Sequence, residues 1–565
     1  MRRSVRDRWE KPDAWLVTTG AAIVRMDGMN LHEGPGTGPG SRGRTARHRR
    51  IILAIVLLSV LVVSMDNSIL YVAIKTLAEP SPTGLGASQG QLQWAVDAYI
   101  LAFASLLLSA GVVGNRVGHK RVLLTGLTCF GLFSALSAFS RNPGELIACR
   151  AVLGVAAALI MPPTLAIVTR VFPGEARAKA IGIWSAVVGA ATAIGPIVAG
   201  ALLGSFWWGS VFLVNVPVVV VVVPALWFGV SESAEHERRR LDPVGVTLAT
   251  AGLVGVVYGV IRAGDLDSWT TPEAYAPIAA GLVLLGAFAA YERRVSQPAL
   301  DIRHFRNSGF TASAVALAVL SFAVLGAIFG MTFYIQTIKG YSALQTGVCL
   351  LPLAVATILF APRAPALVRR FGGRAVTVVG LLLVALAMLG LAALGSTTTI
   401  WYFELIMFIF GAGMAHVITP ATAQMVAAMP ADQAGTSSAV NNTFRQVGGA
   451  LGTAVLGSIL ASVYLGRIRP DLELLPASLR APAESSITGT LQVLRAIGGP
   501  ARAYIMPAEN AFMHAMRVTS VAGAIAVFVA AVVVFFLAPP RAAAASGRPA
   551  SRQDLPARAM ADTQP

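Results

Sequence analysis

GVVGNRVGHKRVLLTGL, residues 111–127, and PALVRRFGGRAVTVVGL, residues 365–381, align without gaps and match Arg116 to Arg370, Gly118 to Gly372 and Gly126 to Gly380. Two further segments repeat in the same order. GVAAALIMPPTLAIV from Gly154 pairs with GAGMAHVITPATAQMV from Gly411, and AIGIWSAVVGAATAIGP from Ala180 pairs with AGTSSAVNNTFRQVGGA from Ala434. The offsets are 254, 257 and 254 residues, so one parallel duplication with small insertions accounts for all three. A chance match of one segment would mean little; three in order at nearly one offset are hard to reach by chance.

The duplicated unit is built for a bilayer. Of the 565 residues 55% are hydrophobic and 13% charged, against about 25% charged in soluble proteins. The apolar residues gather into runs of about 20, long enough to cross a hydrocarbon layer of about 30 Å. Fourteen such runs start near residues 51, 92, 122, 146, 180, 210, 243, 275, 309, 344, 376, 401, 435 and 518. The net charge of +17 could suggest nucleic acid, but its placement excludes that class. Most Lys and Arg fall in the two tails and in the connections after even-numbered runs, among them 115–121, 169–179, 236–240, 292–306 and 363–374. By the positive-inside rule both termini are cytoplasmic, and the charge faces membrane lipids.

Two six-span parallel halves, residues 51–230 and 309–537, then flank an inserted two-helix hairpin at 243–291. Tails at 1–50 and 538–565 and a long outer loop at 465–516 complete the expected organisation. The Gly/Arg-rich stretch before residue 50 reads as a disordered tail, with translation expected to start at Met26 or Met29. Cys129, Cys149 and Cys349 lie in apolar runs without disulfide or metal spacing and read as small buried side chains. No GxxxxGK[ST], HExxH or paired CxxC is present, so no cofactor, metal or enzymatic activity is expected, and an ion gradient is the expected energy source.

The sequence resembles the major facilitator superfamily across nearly all of residues 50–538. It is most similar to the fourteen-span drug:proton antiporters, including the quaternary-ammonium multidrug exporters. The residues that carry the resemblance are MDNSILYVA (65–73), WAVDAY (94–99), GVVGNRVGHKR (111–121), RAVLG (150–154), IGPIVAG (194–200), FLVNVP (212–217), YSALQTGVCLLP (341–352) and RQVGGALG (445–452). The resemblance implies an all-α major facilitator fold and proton-driven efflux of small drug-like molecules across the cytoplasmic membrane of a bacterium. A lipid exporter and a proton-coupled uptake transporter on the same fold are the alternatives.

Charges inside spans mark the candidate site, because each costs at least about 2.5–3.5 kcal/mol at bilayer depth. Asp66 lies about 15 residues into its run, or about 22 Å along the helix. Asp97 and Arg150 enter from the other end and fall at similar depth. A carboxylate between burial, which raises its pKa, and a nearby arginine, which lowers it, can titrate near neutral pH and carry a proton. A static ion pair that only joins helices fits the same residues.

In the second half Ser438, Asn442, Arg445, Gly449 and Gly452 form a polar and small stripe, with Asn441 beside it. The exporters that this chain resembles carry acids in that region. Their absence leaves room for neutral, zwitterionic or anionic substrates, with Arg445 either a counter-charge or a helix-pairing residue. Phe212, Phe333, Tyr334 and Phe444 read as core or bilayer-facing aromatics before pocket walls.

The resemblance implies a conformational loop at Gly111, Asn115, Arg116, Gly118 and Arg121, where Asn115 replaces the family's usual acid and weakens the expected latch. It also implies an antiporter motif at Gly195, Pro196 and Gly200, expected to seal one side of the cavity.

Overall fold

The computed structural model describes residues 39–172, 174–230, 232, 242–295, 302–428 and 434–539. The C-terminal tail from residue 540, most of the N-terminal tail, the 236–240 basic cluster and the side chains of Asn115, Ser185, Gly189, Thr192 and Ser438 lie outside that description. Residues Met1–Ala46 form a unit of their own, and Arg47–Pro565 form the second.

Long helices dominate the second unit, as they must where no water can meet the backbone polar groups of a spanning segment. They are α1 (Arg47–Ala78), α2 (Gln89–Val117), α3 (His119–Ala138), α4 (Pro143–Val171), α5 (Gly174–Ser205), α6 (Ser210–Gly229), α7 (Pro243–Asp265), α8 (Pro272–Glu292), α9 (Ser308–Ile338), α10 (Ala343–Phe360), α11 (Gly373–Ala392), α12 (Ile400–Ala427), α13 (Ala434–Leu472) and α14 (Ile505–Leu537). Among the described residues twelve segments are long and apolar enough to cross a membrane: all of these helices except α2 and α5, with α13 counted from Val440 and α14 from Arg502. Large apolar side chains cover the flank of the bundle, Phe228 being 86% exposed and Phe536 75%. That surface suits lipid, not water.

The packing of the helices repeats. In the first group α2 packs on α4, and α3 on α4 and α6; in the last group α10 packs on α12, and α11 on α12 and α14. Each of these pairs maps onto its counterpart when eight is added to the helix number. The match extends to atoms. A Cβ on Gly154 would stand 2.2 Å from the Tyr99 carbonyl oxygen, and one on Gly411 would stand 2.1 Å from that of Leu353. These glycines let α2 and α4, and α10 and α12, come into backbone contact. Gly118 and Gly372, aligned in the opening repeat, both take positive φ, 107° and 86°. This is why both connections turn so sharply into the next helix.

The two groups meet along two seams that the same repeat exchanges, α2 against α13 and α5 against α10. Hydrogen bonds join the groups at the end of the bundle opposite the basic connections. Gln336 Nε2 donates to the Val72 carbonyl (3.0 Å), Lys75 Nζ to the Gln336 carbonyl (3.1 Å), and Ser458 Oγ to Gln93 Oε1 (3.4 Å). A single π-turn, Tyr334–Ile338, ends α9 and presents Gln336 to α1. That end is closed.

Helices α7 and α8 pack on each other, and α7 also lies against α2 and α13. The turn after α7 reaches both: Asp265 meets the Gly90 backbone, and Asp267 Oδ1 accepts from Ser462 at 2.5 Å.

The expected outer loop at 465–516 is largely helical instead. α13 runs on to Leu472, short helices lie at Ala477–Glu484 and Ile487–Ile497, and α14 starts at Ile505 rather than near 518. The segment folds over the helix ends, with Ile487, Leu491 and Leu494 buried, Tyr464 donating to Thr490 (2.6 Å) and the Gln89 N–H to the Ser485 carbonyl (3.1 Å). Hydropathy alone marked where the apolar run stops; helix continues past it because amphipathic turns there still find an apolar face to bury.

Alanine at Gly118 or Gly372 forces a left-handed residue with a side chain, at a cost of about 1–2 kcal/mol. Each variant is expected to lower the melting temperature in detergent. Alanine at Gly204, a helical glycine with open space around it, is expected to hold or raise it, and equal behaviour of all three would refute the assignment.

Candidate functional site

The structure brings Asp66, Arg150 and a residue that the sequence reading passed over, Asn215, into one buried network. Arg150 Nη1 stands 2.5 Å from Asp66 Oδ2, and Arg150 Nε donates to the Ala95 carbonyl at 3.1 Å. The other carboxylate oxygen, Asp66 Oδ1, accepts from Asn215 Nδ2 at 2.9 Å, and that amide also donates to Ser134 Oγ at 3.0 Å. The guanidinium lies over the Tyr99 ring, 4.3 Å from its centroid, and the Tyr99 hydroxyl donates to the Val63 carbonyl at 3.3 Å. Asp66 and Arg150 are each 1% exposed. Five helices therefore meet at one charge pair: α1 supplies Asp66, α2 the carbonyl and the ring, α3 Ser134, α4 Arg150 and α6 Asn215.

A desolvated ion pair repays its dehydration only when its remaining donors and acceptors are met. Here the carboxylate accepts a bond on each oxygen, and the guanidinium has a second acceptor and a ring face. Asp66 is the ion-pair partner of Arg150. Asn215 sits in VFLVNVPVVVVVVP, residues 211–224, where a lone amide in an apolar run was itself the signal that it had a polar partner.

Asp97 is the contrast. It lies on α2 two residues beyond Ala95, is fully buried, and neither of its carboxyl oxygens has a hydrogen-bond partner among the described residues. The Tyr71 hydroxyl of α1 lies near it and faces Thr453 of α13, across the seam between the groups. Of the two acids, one has a cation beside it and the other has none among the described residues.

Gly195 of α5 abuts α1 beside this network, where its Cβ would lie 2.0 Å from Ser68 Oγ and 3.0 Å from the Met65 carbonyl oxygen. Gly200 abuts the α10 backbone at Leu344, and Gly347 of α10 abuts the Pro196 carbonyl. The antiporter-motif residues thus occupy the α5–α10 seam. In the conformational loop Gly118 makes the turn, but Gly111 has only Pro162 near it, at 3.9 Å, so no contact demands its small size. Arg116 is exposed. Arg121 pairs with Glu232 at 3.5 Å, and the Lys120 N–H donates to the same carboxylate. An acid from beyond α6 therefore faces this loop, which the sequence reading credited only with Asn115.

In the second group Asn441 Nδ2 donates to Thr422 Oγ1 of α12 at 2.9 Å. Asn442 is half-buried and Arg445 likewise. Phe212, Phe333 and Tyr334 are fully buried core side chains, whereas Phe444 is half-buried and packs edge-on against Phe305 and Phe310. Thr357 bonds to the Leu353 and Gly411 carbonyls.

The Major Facilitator Superfamily model matches residues 56–453. The chain belongs to that family. It is a multi-pass membrane transporter, not an enzyme. It is 33% identical over 506 residues to the multidrug efflux pump LfrA of Mycolicibacterium smegmatis, covering 88% of this chain and 97% of the relative. It is 33% identical over 420 residues to the tetracenomycin C resistance and export protein of Streptomyces glaucescens, covering 74% and 77%. Among solved structures, a bacterial homologue of the human lysosomal transporter Spinster superposes with a TM-score of 0.61 at 18% identity, over 89% of this chain and 98% of that one; that likeness concerns the fold.

Arg150→Met leaves the buried Asp66 carboxylate without its cation, and is expected to cost about 3–5 kcal/mol of stability; Asn215→Leu, which removes the amide donor to Asp66 Oδ1, is expected to cost about 1–3 kcal/mol. Thermal unfolding in detergent reads both. Adding Asp66→Leu to Arg150→Met is expected to recover much of the loss, and a double variant no better than the single would show that the pair is not what the network stabilises.

Proposed function

We propose that this transporter exports drug-like small molecules from the cytoplasm in exchange for protons, with Asp97 as the proton carrier and Asp66–Arg150 as the fixed pair that positions it. The observation that carries the reading is the fully buried, unpartnered Asp97 beside an acid that is fully paired. The resistance and efflux names of relatives at 33% identity over most of the chain support the substrate class.

In this reading α2 and α5 also span the bilayer, giving fourteen spans: two six-helix halves and the α7–α8 hairpin between them. The connections that carry Arg116, Lys120, Arg121, Arg369, Arg370 and Arg374 lie in the cytoplasm with both termini. The structure is then the state closed to the outside, with Asp97 dry and protonated. Release of that proton to the cytoplasm leaves a charge that must reach water or a counter-charge, and this favours the hydrated, substrate-accepting cavity. Reprotonation from outside favours the emptied one. Each pH unit contributes about 1.4 kcal/mol per proton to that exchange, and substrate drives the switch only through its different affinity for the two states.

Inverted membrane vesicles with an acidified lumen test the reading. Drugs are expected to trigger lumen alkalinisation with the wild type and not with Asp97→Asn, which keeps the size of the side chain and removes its proton. Drug-triggered proton release that survives in Asp97→Asn would remove Asp97 from the coupling role.

A further inference from the structure

Arg445 is the one charge deep in the second half that the proton cycle above does not use. It lies 11 residues into α13, about 16 Å from the helix start, on the side of the basic connections. It takes part in none of the ion pairs Arg121–Glu232, Asp66–Arg150, Arg262–Glu273 and Asp267–Arg469, and among the described residues it has no hydrogen-bond acceptor. Its side chain is half-buried.

Its neighbours fix its place in the fold. One turn before it Asn441 is bonded to α12; Phe444 and Gly448 seat α13 on α9. Two turns beyond it Thr453 is faced by Tyr71 of α1, which lies near Asp97. Gly449 and Gly452, which share the face of α13 that carries Arg445, abut Leu325 and Phe322 of α9, so Arg445 faces into the second half, nearer the basic connections than the proton-carrying acid. Helix pairing, the alternative role for this residue, finds no acceptor among the described residues. The second-half spans α9, α10 and α11 contain no Asp or Glu, and those of α12, α13 and α14 (Glu404, Asp471, Glu509) sit at the far ends, away from it. With Asp66 paired to Arg150 and Asp97 protonated in the proposed cycle, Arg445 is left without a counter-charge among the described residues.

We propose that Arg445 binds an anionic group of the substrate, a carboxylate or an ionised enol or phenol, so that the preferred cargo is acidic or zwitterionic rather than cationic. The proposal rests on the export reading above. Guanidinium suits it, being a permanent cation with forked donors that match a planar anion. Outward movement of a monoanion against one inward proton carries two charges in the same electrical direction. Exchange of a monovalent cation for a proton carries none.

Three fluorescent probes decide it: a pyrene-type carboxylate, its methyl ester, and a quaternary-ammonium dye. Uptake into energised inverted vesicles and tryptophan quenching of the purified protein are measured for wild type, Arg445→Gln and Arg445→Lys. Loss of a charge-assisted bond is expected to lower affinity for the carboxylate about tenfold or more in Arg445→Gln, with ester binding unchanged and partial recovery in Arg445→Lys. A lumen-positive potential without a pH gradient is expected to drive carboxylate uptake and not that of the ammonium dye. Equal losses for all three probes, or an unchanged carboxylate-to-ester ratio, would overturn the proposal. If the wild type accumulates no probe the export reading fails, and the binding ratio still decides the role of Arg445.

Discussion

The interior of the first half is organised around one desolvated ion pair. Asp66 and Arg150 can sit at 2.5 Å in a dry helix bundle only because Asn215 and the Ala95 carbonyl take up what the pair leaves over. That requirement sets the mutual rotation of α1, α2, α4 and α6, since each must present a particular atom to the same point. It also decides what Asp97 can be. Two residues past Ala95 on the same helix, it makes no hydrogen bond to Arg150, whose Nε and Nη1 are engaged by Ala95 and Asp66. The fixed pair and the unpaired acid are two consequences of one packing arrangement.

The seams between the halves are closed by equally few contacts. Backbone-to-backbone approach at Gly200 and Gly347 closes the α5–α10 seam, and polar contacts of Gln93 with Ser458 and Gly457 close the α2–α13 seam. The repeat makes these seams equivalent in kind, but only one carries the inserted hairpin. α7 lies along α2 and α13, with Gly264 pressed on Ser458 and Asp267 bonded to Ser462. Separation of α2 from α13 must therefore strip α7 from one of them, whereas α5 and α10 part without such a brace. The two sides of the closed end are unequal in what opening them breaks.

Much of this was legible in the sequence because the duplication is written in glycines. Gly118 and Gly372 recur where a left-handed turn is needed, and Gly154 and Gly411 where two backbones touch; such positions tolerate little drift, so the repeat survives there when side chains have diverged. Depth put Asp66, Asp97 and Arg150 at one level, but could not say which acid Arg150 would pair with. What was not legible depended on contacts between distant segments. Asn215 lies 149 residues from Asp66, and no local pattern ties them. Glu232 reaches the loop at Lys120 and Arg121 from 112 residues away. The folded cap over 473–504 was hidden because its buried face is a stripe of three residues on a short helix, far below the apolar length that marks a span.

The duplication also shows how far the halves have specialised. At the offsets of the repeat Asp97 corresponds to Leu351, Arg150 to Met407 and Arg445 to Ala191; Met407 and Ala191 are fully buried. Every ionisable group that the first half places at its centre is apolar in the second, and the second half's cation is a methyl group in the first. A symmetric ancestor with charges in both halves would have set two proton sites and two substrate counter-charges in one cavity, where like charges oppose each other and opposite ones pair off. Keeping the acids on one side of the seam and the lone guanidinium on the other leaves each free to respond to a different ligand. In the proposed cycle the two ligands then communicate through the seam itself, where Tyr71 and Thr453 face one another, and need no direct contact between proton site and cargo.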